Sequence, residues 1–278
     1  MRALMAGLFL SISLFCSGNK IDELTTPRDV LQFVKKVIGR NDQFREKTAD
    51  SGSVDFSFIK IDLNGDGLTD ILINGEHLYA IVDQGGHNHF EEKPIGDWNM
   101  GCRLLSIDST AKLPILVVQK NNDYDNQLGK NIIFTPDTLV YLYGGFIEYN
   151  PFPVQLDVSE IKISTSLCFG TCPVFELTIN KKRQAVYNAK KFNGLAGIYE
   201  TSLSQTTFTG LVGLLSYINP GSLKTSYQVG STDHQTIELE LHYNGLTRKI
   251  RDYGLEGTFG LQQLYRLLFR LRETEAWE

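Results

Sequence analysis

A mixed fold is predicted: an N-terminal helix and a mainly β domain over residues 26–152, then an α+β domain over 155–275. Three observations predict it. Apolar residues alternate with polar ones from Val54 to Ile61 and recur in short β-like runs up to Tyr143. A hairpin-then-helix pattern occurs twice in the second half. Between the halves lies Asn150-Pro151-Phe152-Pro153, whose two prolines break both ladder pairing and helix. At 278 residues, with 42% hydrophobic and 11% aromatic content, the chain can bury two cores.

Taken in order, Arg2 precedes the apolar run Ala3 to Phe15, followed by Cys16-Ser17-Gly18 and polar Asn19-Lys20. A positive start, a dozen apolar residues and a small-residue end predict a signal peptide over 1–18. The run is too short for a membrane-spanning stop-transfer helix, and no second long apolar run follows. A lipid anchor at Cys16 is the alternative, although Phe15 occupies the place where lipoprotein sites want a small residue. Residues 19–25 read as a short tether. Thr26-Pro27-Arg28-Asp29 opens a helix as N-cap, first helical position and dipole-facing carboxylate. Val30, Phe33, Val34, Val37 and Ile38 form its stripe, Gly39 ends it, and 41–53 reads as loop. Strands follow over 54–61, 71–73 and 78–82, then around 103–107, 115–119, 131–134 and 139–143. In the second half, Pro173 to Asn188 is a hairpin turning near Lys181-Lys182, and Thr206 to Ile218 a helix. Gln235 to Arg251 is a hairpin turning at Asn244-Gly245, which suits a type I′ turn. Thr258 to Arg272 is a helix with Phe259, Leu261, Leu264, Leu268 and Leu271 inward and Arg266, Arg270 and Arg272 outward. One antiparallel sheet with two helices on one face is the expected assembly.

The most explicit chemistry is Asp62-Leu63-Asn64-Gly65-Asp66-Gly67-Leu68-Thr69-Asp70. Oxygen-bearing side chains at Asp62, Asn64, Asp66 and Asp70, with the Leu68 carbonyl, are spaced to surround a hard cation such as Ca²⁺. An EF-hand is excluded, because Ile73 stands where its bidentate glutamate belongs and both flanks are strand-like. The loop, with Ile71–Val82 and Gly85-Gly86-His87-Asn88-His89-Phe90, resembles the FG-GAP/VCBS-type repeat over residues 56–90. That resemblance implies a calcium ion held between two strands. A propeller needs about four or more blades, and Asp123-Tyr124-Asp125-Asn126 is too poor for a second loop, so a small β domain with one repeat is expected.

Cys168-Phe169-Gly170-Thr171-Cys172-Pro173 is read as a structural disulfide, Cys168 to Cys172, ahead of a strand. A thiol-redox pair, or a copper site completed by His234 or His242, stands as the alternative. Cys102 is left over. From Cys168 to about Leu271 the chain also resembles an uncharacterised bacterial envelope domain, which implies a boundary near 155 and supplies no activity or catalytic residues to carry over. His87-Asn88-His89 reads as an exposed turn with a zinc pair as the alternative.

The net charge of −5 is mild and interspersed, and Lys181-Lys182-Arg183 reads as a turn, so no nucleic-acid partner is expected. No catalytic motif is legible, and the reading leans away from an enzyme. The expected function is an exported bacterial envelope module, periplasmic, outer-membrane-associated or secreted. It would bind a protein, peptide or glycan and carry structural Ca²⁺. The rivals are a redox or copper protein at Cys168 and Cys172, and a hydrolase whose site is not visible in sequence.

Overall fold

The computed structural model describes residues 20–37, 56–75, 77–86, 89–96, 102–120 and 135–278. The signal segment, Cys16, residues 41–53, the strand expected at 131–134, His87-Asn88 and Asp123–Asn126 lie outside them. Among the described residues the fold is mixed and mostly β, with three α-helices and three sheets and no closed barrel. They stack as five layers: helix, sheet, sheet, helix pair, sheet.

The first layer is α1 (Pro27–Val37). The Asp29 N–H donates to the Thr26 hydroxyl (3.2 Å) and the Thr26 N–H to the Asp29 carboxylate (2.8 Å), a reciprocal cap. Val30, Phe33 and Val34 bury the stripe. The expected tether is instead packed: Ile21 and Leu24 are buried in the same cluster, and Lys60 Nζ donates to the Asp22 carbonyl at 2.8 Å. Two apolar residues in a short polar stretch were enough to dock it.

Sheet I is the meander β1 (Ser57–Ile61), β2 (Asp70–Asn74), β3 (Leu78–Asp83) and β4 (Phe90–Ile95). β2 and β3 are covered on both faces, which is why they read as continuous apolar runs rather than alternating ones. Ile71, Ile73, Tyr79 and Ile81 meet α1, whereas Leu72, Leu78, Ala80 and Val82 meet sheet II. Sheet II is the meander β5 (Cys102–Asp108), β6 (Ile115–Lys120), β7 (Asp137–Leu142) and β8 (Gly145–Glu148). Its Leu116, Val118, Leu139, Tyr141 and Phe146 face sheet I, and its Val140 and Ile147 face the helices.

Sheet III has seven strands: β9 (Val158–Thr165), β10 (Val174–Asn180), β11 (Gln184–Lys191), β12 (Gly197–Ser202), β13 (Ser226–Gln228), β14 (Thr236–Tyr243) and β15 (Leu246–Tyr253). Their spatial order is β12-β11-β10-β9-β14-β15-β13. All neighbours are antiparallel except β13 with β15. Asn244 and Gly245 both have positive φ (51° and 75°), as the type I′ turn requires. One face alternates into the core through Ile161, Ile163, Phe175, Leu177, Tyr187, Leu239 and Leu241. The other face is open and polar.

The helices α2 (Gln205–Ile218) and α3 (Phe259–Thr274) cover that core face, capped by Ser204 and Thr258. Leu211, Leu214 and Leu215 of α2 and Leu261, Leu264, Leu268 and Leu271 of α3 are buried, each contributing about 1.5–3 kcal/mol. Arg266 and Arg270 are exposed as expected, but Arg272 is half-buried: its guanidinium lies over the Phe175 and Phe269 rings and donates to Asn193 Oδ1 at 3.0 Å. The halves are bound together across the proline-flanked junction. Glu148 accepts from the Phe259 and Gly260 N–H groups (2.6 and 2.8 Å), placing a carboxylate at the positive end of α3. Gln263 Nε2 donates to the Tyr143 carbonyl (2.8 Å), and the Asn150 N–H to the Tyr217 hydroxyl (2.9 Å).

Candidate functional site

The acidic loop joins β1 to β2 as a hairpin in which Ile61 pairs with Asp70. Two strands therefore flank it, which agrees with the exclusion of an EF-hand. Buried Leu63 plugs the loop into the core between sheets I and II. The polar residues then fold the backbone around themselves. The Asp62 carboxylate accepts from the Gly65 and Gly67 N–H groups (2.7 and 2.9 Å), Asn64 Oδ1 from the Asp66 N–H (3.0 Å), and Asp66 Oδ1 from the Leu68 N–H (2.8 Å). Gly65 and Gly67 have φ near +80°, which side chains other than hydrogen rarely adopt.

Asp70 is different from the other three. It is fully buried, and its two oxygens accept from the Leu63 N–H (2.8 Å) and the Asp83 N–H (2.9 Å). Burial pushes its pKa up to about 7, against those two hydrogen bonds, and the negative charges of Asp66 and Asp62 add to the rise. The side-chain donor Asn64 Nδ2 reaches Asp66 Oδ2 at 2.8 Å. Among the described residues, no three His, Cys, Asp or Glu side chains gather closely enough to hold a metal as they stand. The donor chemistry nevertheless fits a hard cation. The loop holds three carboxylates and an amide oxygen, each carboxylate oxygen keeps a further lone pair beyond its backbone bond, and a buried acid is held against its neighbours' charge.

Cys168 and Cys172 are joined as a disulfide, Cα to Cα 5.8 Å. β10 follows the pair, so no helix N-terminus lies behind either sulfur to lower a thiol pKa. The loop is clamped by polar bonds: Gln235 Nε2 donates to the Ser166 and Pro173 carbonyls (3.0 and 2.8 Å), and the Phe169 N–H to the Asp233 carbonyl (2.8 Å). Of the two histidines considered for copper, His234 follows Asp233 beside this loop. His242 lies at the far end of β14, near Glu240 (2.7 Å) and Glu160 (3.6 Å). Cys102 is buried between sheets I and II.

Sequence reasoning missed the open face of sheet III, a concavity of about 660 Å³. Its ion pairs include Lys249 with Glu240 and Lys190 with Glu176 across strands, and Lys162 with Glu160 along β9. The alternation of β10 and β14 signalled one polar face, but not that it would be concave.

Residues 159–272 match the family described as Domain of unknown function (DUF6438). The match runs from β9 into α3 and agrees with the uncharacterised domain expected there; no FG-GAP/VCBS repeat is found over 56–90. No curated protein and no solved structure matches the chain.

Proposed function

We propose that the protein is an exported bacterial envelope module that binds a protein, peptide or glycan rather than catalysing a reaction, and that Ca²⁺ is its structural ion. The observation that carries the ion is the β1–β2 loop, where Asp62, Asn64, Asp66 and buried Asp70 concentrate oxygen donors on a backbone turned by two glycines. When bound, the ion would neutralise those carboxylates; the Leu68 carbonyl completes the donor set. The resemblance of 56–90 to calcium-binding repeats supports the same reading, and sheets I and II are both four-stranded antiparallel meanders of the kind that form propeller blades. The disulfide suits an oxidising compartment. The nucleophile–base contact at Ser231 Oγ and His234 Nε2 (2.8 Å) lies on an exposed loop, with no carboxylate bonded to the other ring nitrogen among the described residues, which weighs against a hydrolase there.

Calorimetry tests the ion. Ca²⁺ should raise the melting temperature by mass action, about 2.7 kcal/mol of stabilisation at a hundredfold excess over Kd, with Kd roughly sub-millimolar to millimolar. Asp66→Ala should abolish the effect. A wild-type protein indifferent to both Ca²⁺ and chelator overturns the ion's role.

A further inference from the structure

Strand β12 is a long edge of sheet III; the opposite edge is the three-residue β13. In β12, Ser202, Glu200 and Ile198 stand opposite Gln184, Val186 and Asn188 of β11. The Glu200 N–H donates to the Glu278 carbonyl (2.9 Å) and the Glu278 N–H to the Glu200 carbonyl (3.1 Å). This exchange is that of an antiparallel hydrogen-bonded pair, so the backbone groups of Glu200 point out of the sheet. By the two-residue period, those of Ile198 and Ser202 point out as well. The edge thus already accepts one residue of a further strand.

The present occupant is anchored by Trp277, whose ring centroid lies 5.1 Å from that of Tyr187 and whose Nε1 donates to the Leu271 carbonyl (3.1 Å), but at Glu200 itself the match is poor. The residue directly opposite Glu200 is a second exposed glutamate, and like charges across a strand pair are destabilising. One pair further along, Ile198 is 69% exposed, and Val186, diagonal to it on the same face, is 39% exposed. β12 reads Gly-Ile-Tyr-Glu-Thr-Ser, with no lysine or proline of the kind that usually protects an edge.

We propose that β12 is the docking edge for an extended segment of a partner protein. The segment adds antiparallel in place of Glu278, with Lys or Arg opposite Glu200 and, two residues later, a β-branched apolar residue opposite Ile198. The inference rests on the binding-module reading and names its surface and partner class. Charge complementarity at Glu200, and continuity with the backbone pairing already made there, select a peptide strand.

The test uses the full mature chain and two synthetic peptides, acetyl-Thr-Thr-Lys-Thr-Val-Thr-amide and its counterpart with Glu for Lys, titrated by amide NMR with and without Ca²⁺. The Lys peptide should shift amides of 197–202 and 276–278, and the Glu peptide should bind about tenfold more weakly, a difference of about 1.4 kcal/mol. Glu200→Lys should invert that preference. Ile198→Pro should abolish binding yet leave the fold intact, because the N–H it removes faces outward. Equal binding of both peptides, or binding that survives Ile198→Pro, overturns the docking edge. Shifts confined to another surface also overturn it while leaving the binding module standing. No binding of either peptide, with Ca²⁺ still raising the melting temperature, overturns the edge and leaves the calcium site intact.

Discussion

Asp70 is a carboxylate that the fold buries and surrounds with like charge. Its proton is held more tightly in the folded chain than in the unfolded one, where an aspartate titrates near 4. Without a cation, Asp70 therefore adds stability as pH falls from about 7 towards 4, and that contribution is lost as pH rises through about 7. If the proposed Ca²⁺ site is filled, the ion would compete with the proton, and saturating Ca²⁺ should remove this trend. The measurement is a pair of melting profiles in chelator, wild type against Asp70→Asn. The wild type should lose roughly 2–4 °C relative to the variant, for each kcal/mol of linkage, between pH 5 and pH 8. Parallel profiles would mean that Asp70 is ionised at neutral pH in the folded chain.

The start of α3 shows how a helix end can be completed from a distant strand. Thr258 supplies the local cap by accepting from the Leu261 N–H (3.2 Å), and Glu148 of β8 accepts two more N–H groups from 111 and 112 residues away. Glu148→Gln keeps one of the two acceptor oxygens, sets an NH₂ donor against the other helix N–H and removes the charge facing the helix dipole, and should cost about 1–2 kcal/mol in denaturant unfolding. Glu148→Ala leaves the donors unpaired and should cost about 2–3 kcal/mol. Equal losses from both variants would show that the neutral acceptor contributes nothing beyond the charge, and a Gln variant as stable as wild type would show that the charge contributes nothing. The helix and the Asn244-Gly245 turn were legible, because each is written in neighbouring residues. So was the acidic loop, whose donors lie within nine positions. β9, β12 and β13 were not. β9 carries an irregularity where Tyr243 pairs with Val158, which breaks the alternation ahead of Ile161. β12 is an exposed edge whose side chains carry little apolar signal, and β13 is too short for any period. Glu148 on α3 and Glu278 on Glu200 join positions that no local pattern connects.

At the scale of the whole molecule, α2 and α3 are covered by sheet III on one side and by Val140 and Ile147 of sheet II on the other. The proline-flanked junction marks a change of sheet, not a gap: the Val154 N–H donates to the Ser216 carbonyl, and Asn150 Nδ2 to the Tyr217 carbonyl. A fragment beginning at 155 loses Glu148, Tyr143, Val140 and Ile147 together. Its melting temperature should fall well below that of the full chain, and the full chain should unfold in one transition across both halves. Two separate transitions, one matching the isolated fragment, would sink that expectation.

The strand order of sheet III also has a kinetic consequence. β9 meets β10 through a short disulfide-closed loop, but it meets β14 only after α2 and β12 have been made; the Thr236 N–H bonds Ser166 Oγ from 70 residues away. The meander from β9 to β12 can form from near neighbours, whereas registering β14 against β9 requires closing the longest loop in the sheet. Chain entropy makes that closure the slow event. Leu239, buried in the middle of β14 and paired with Ile163, reports on it. Leu239→Ala should slow refolding in stopped-flow measurements about as much as it destabilises the protein, whereas Phe33→Ala in α1 should act mainly by speeding unfolding.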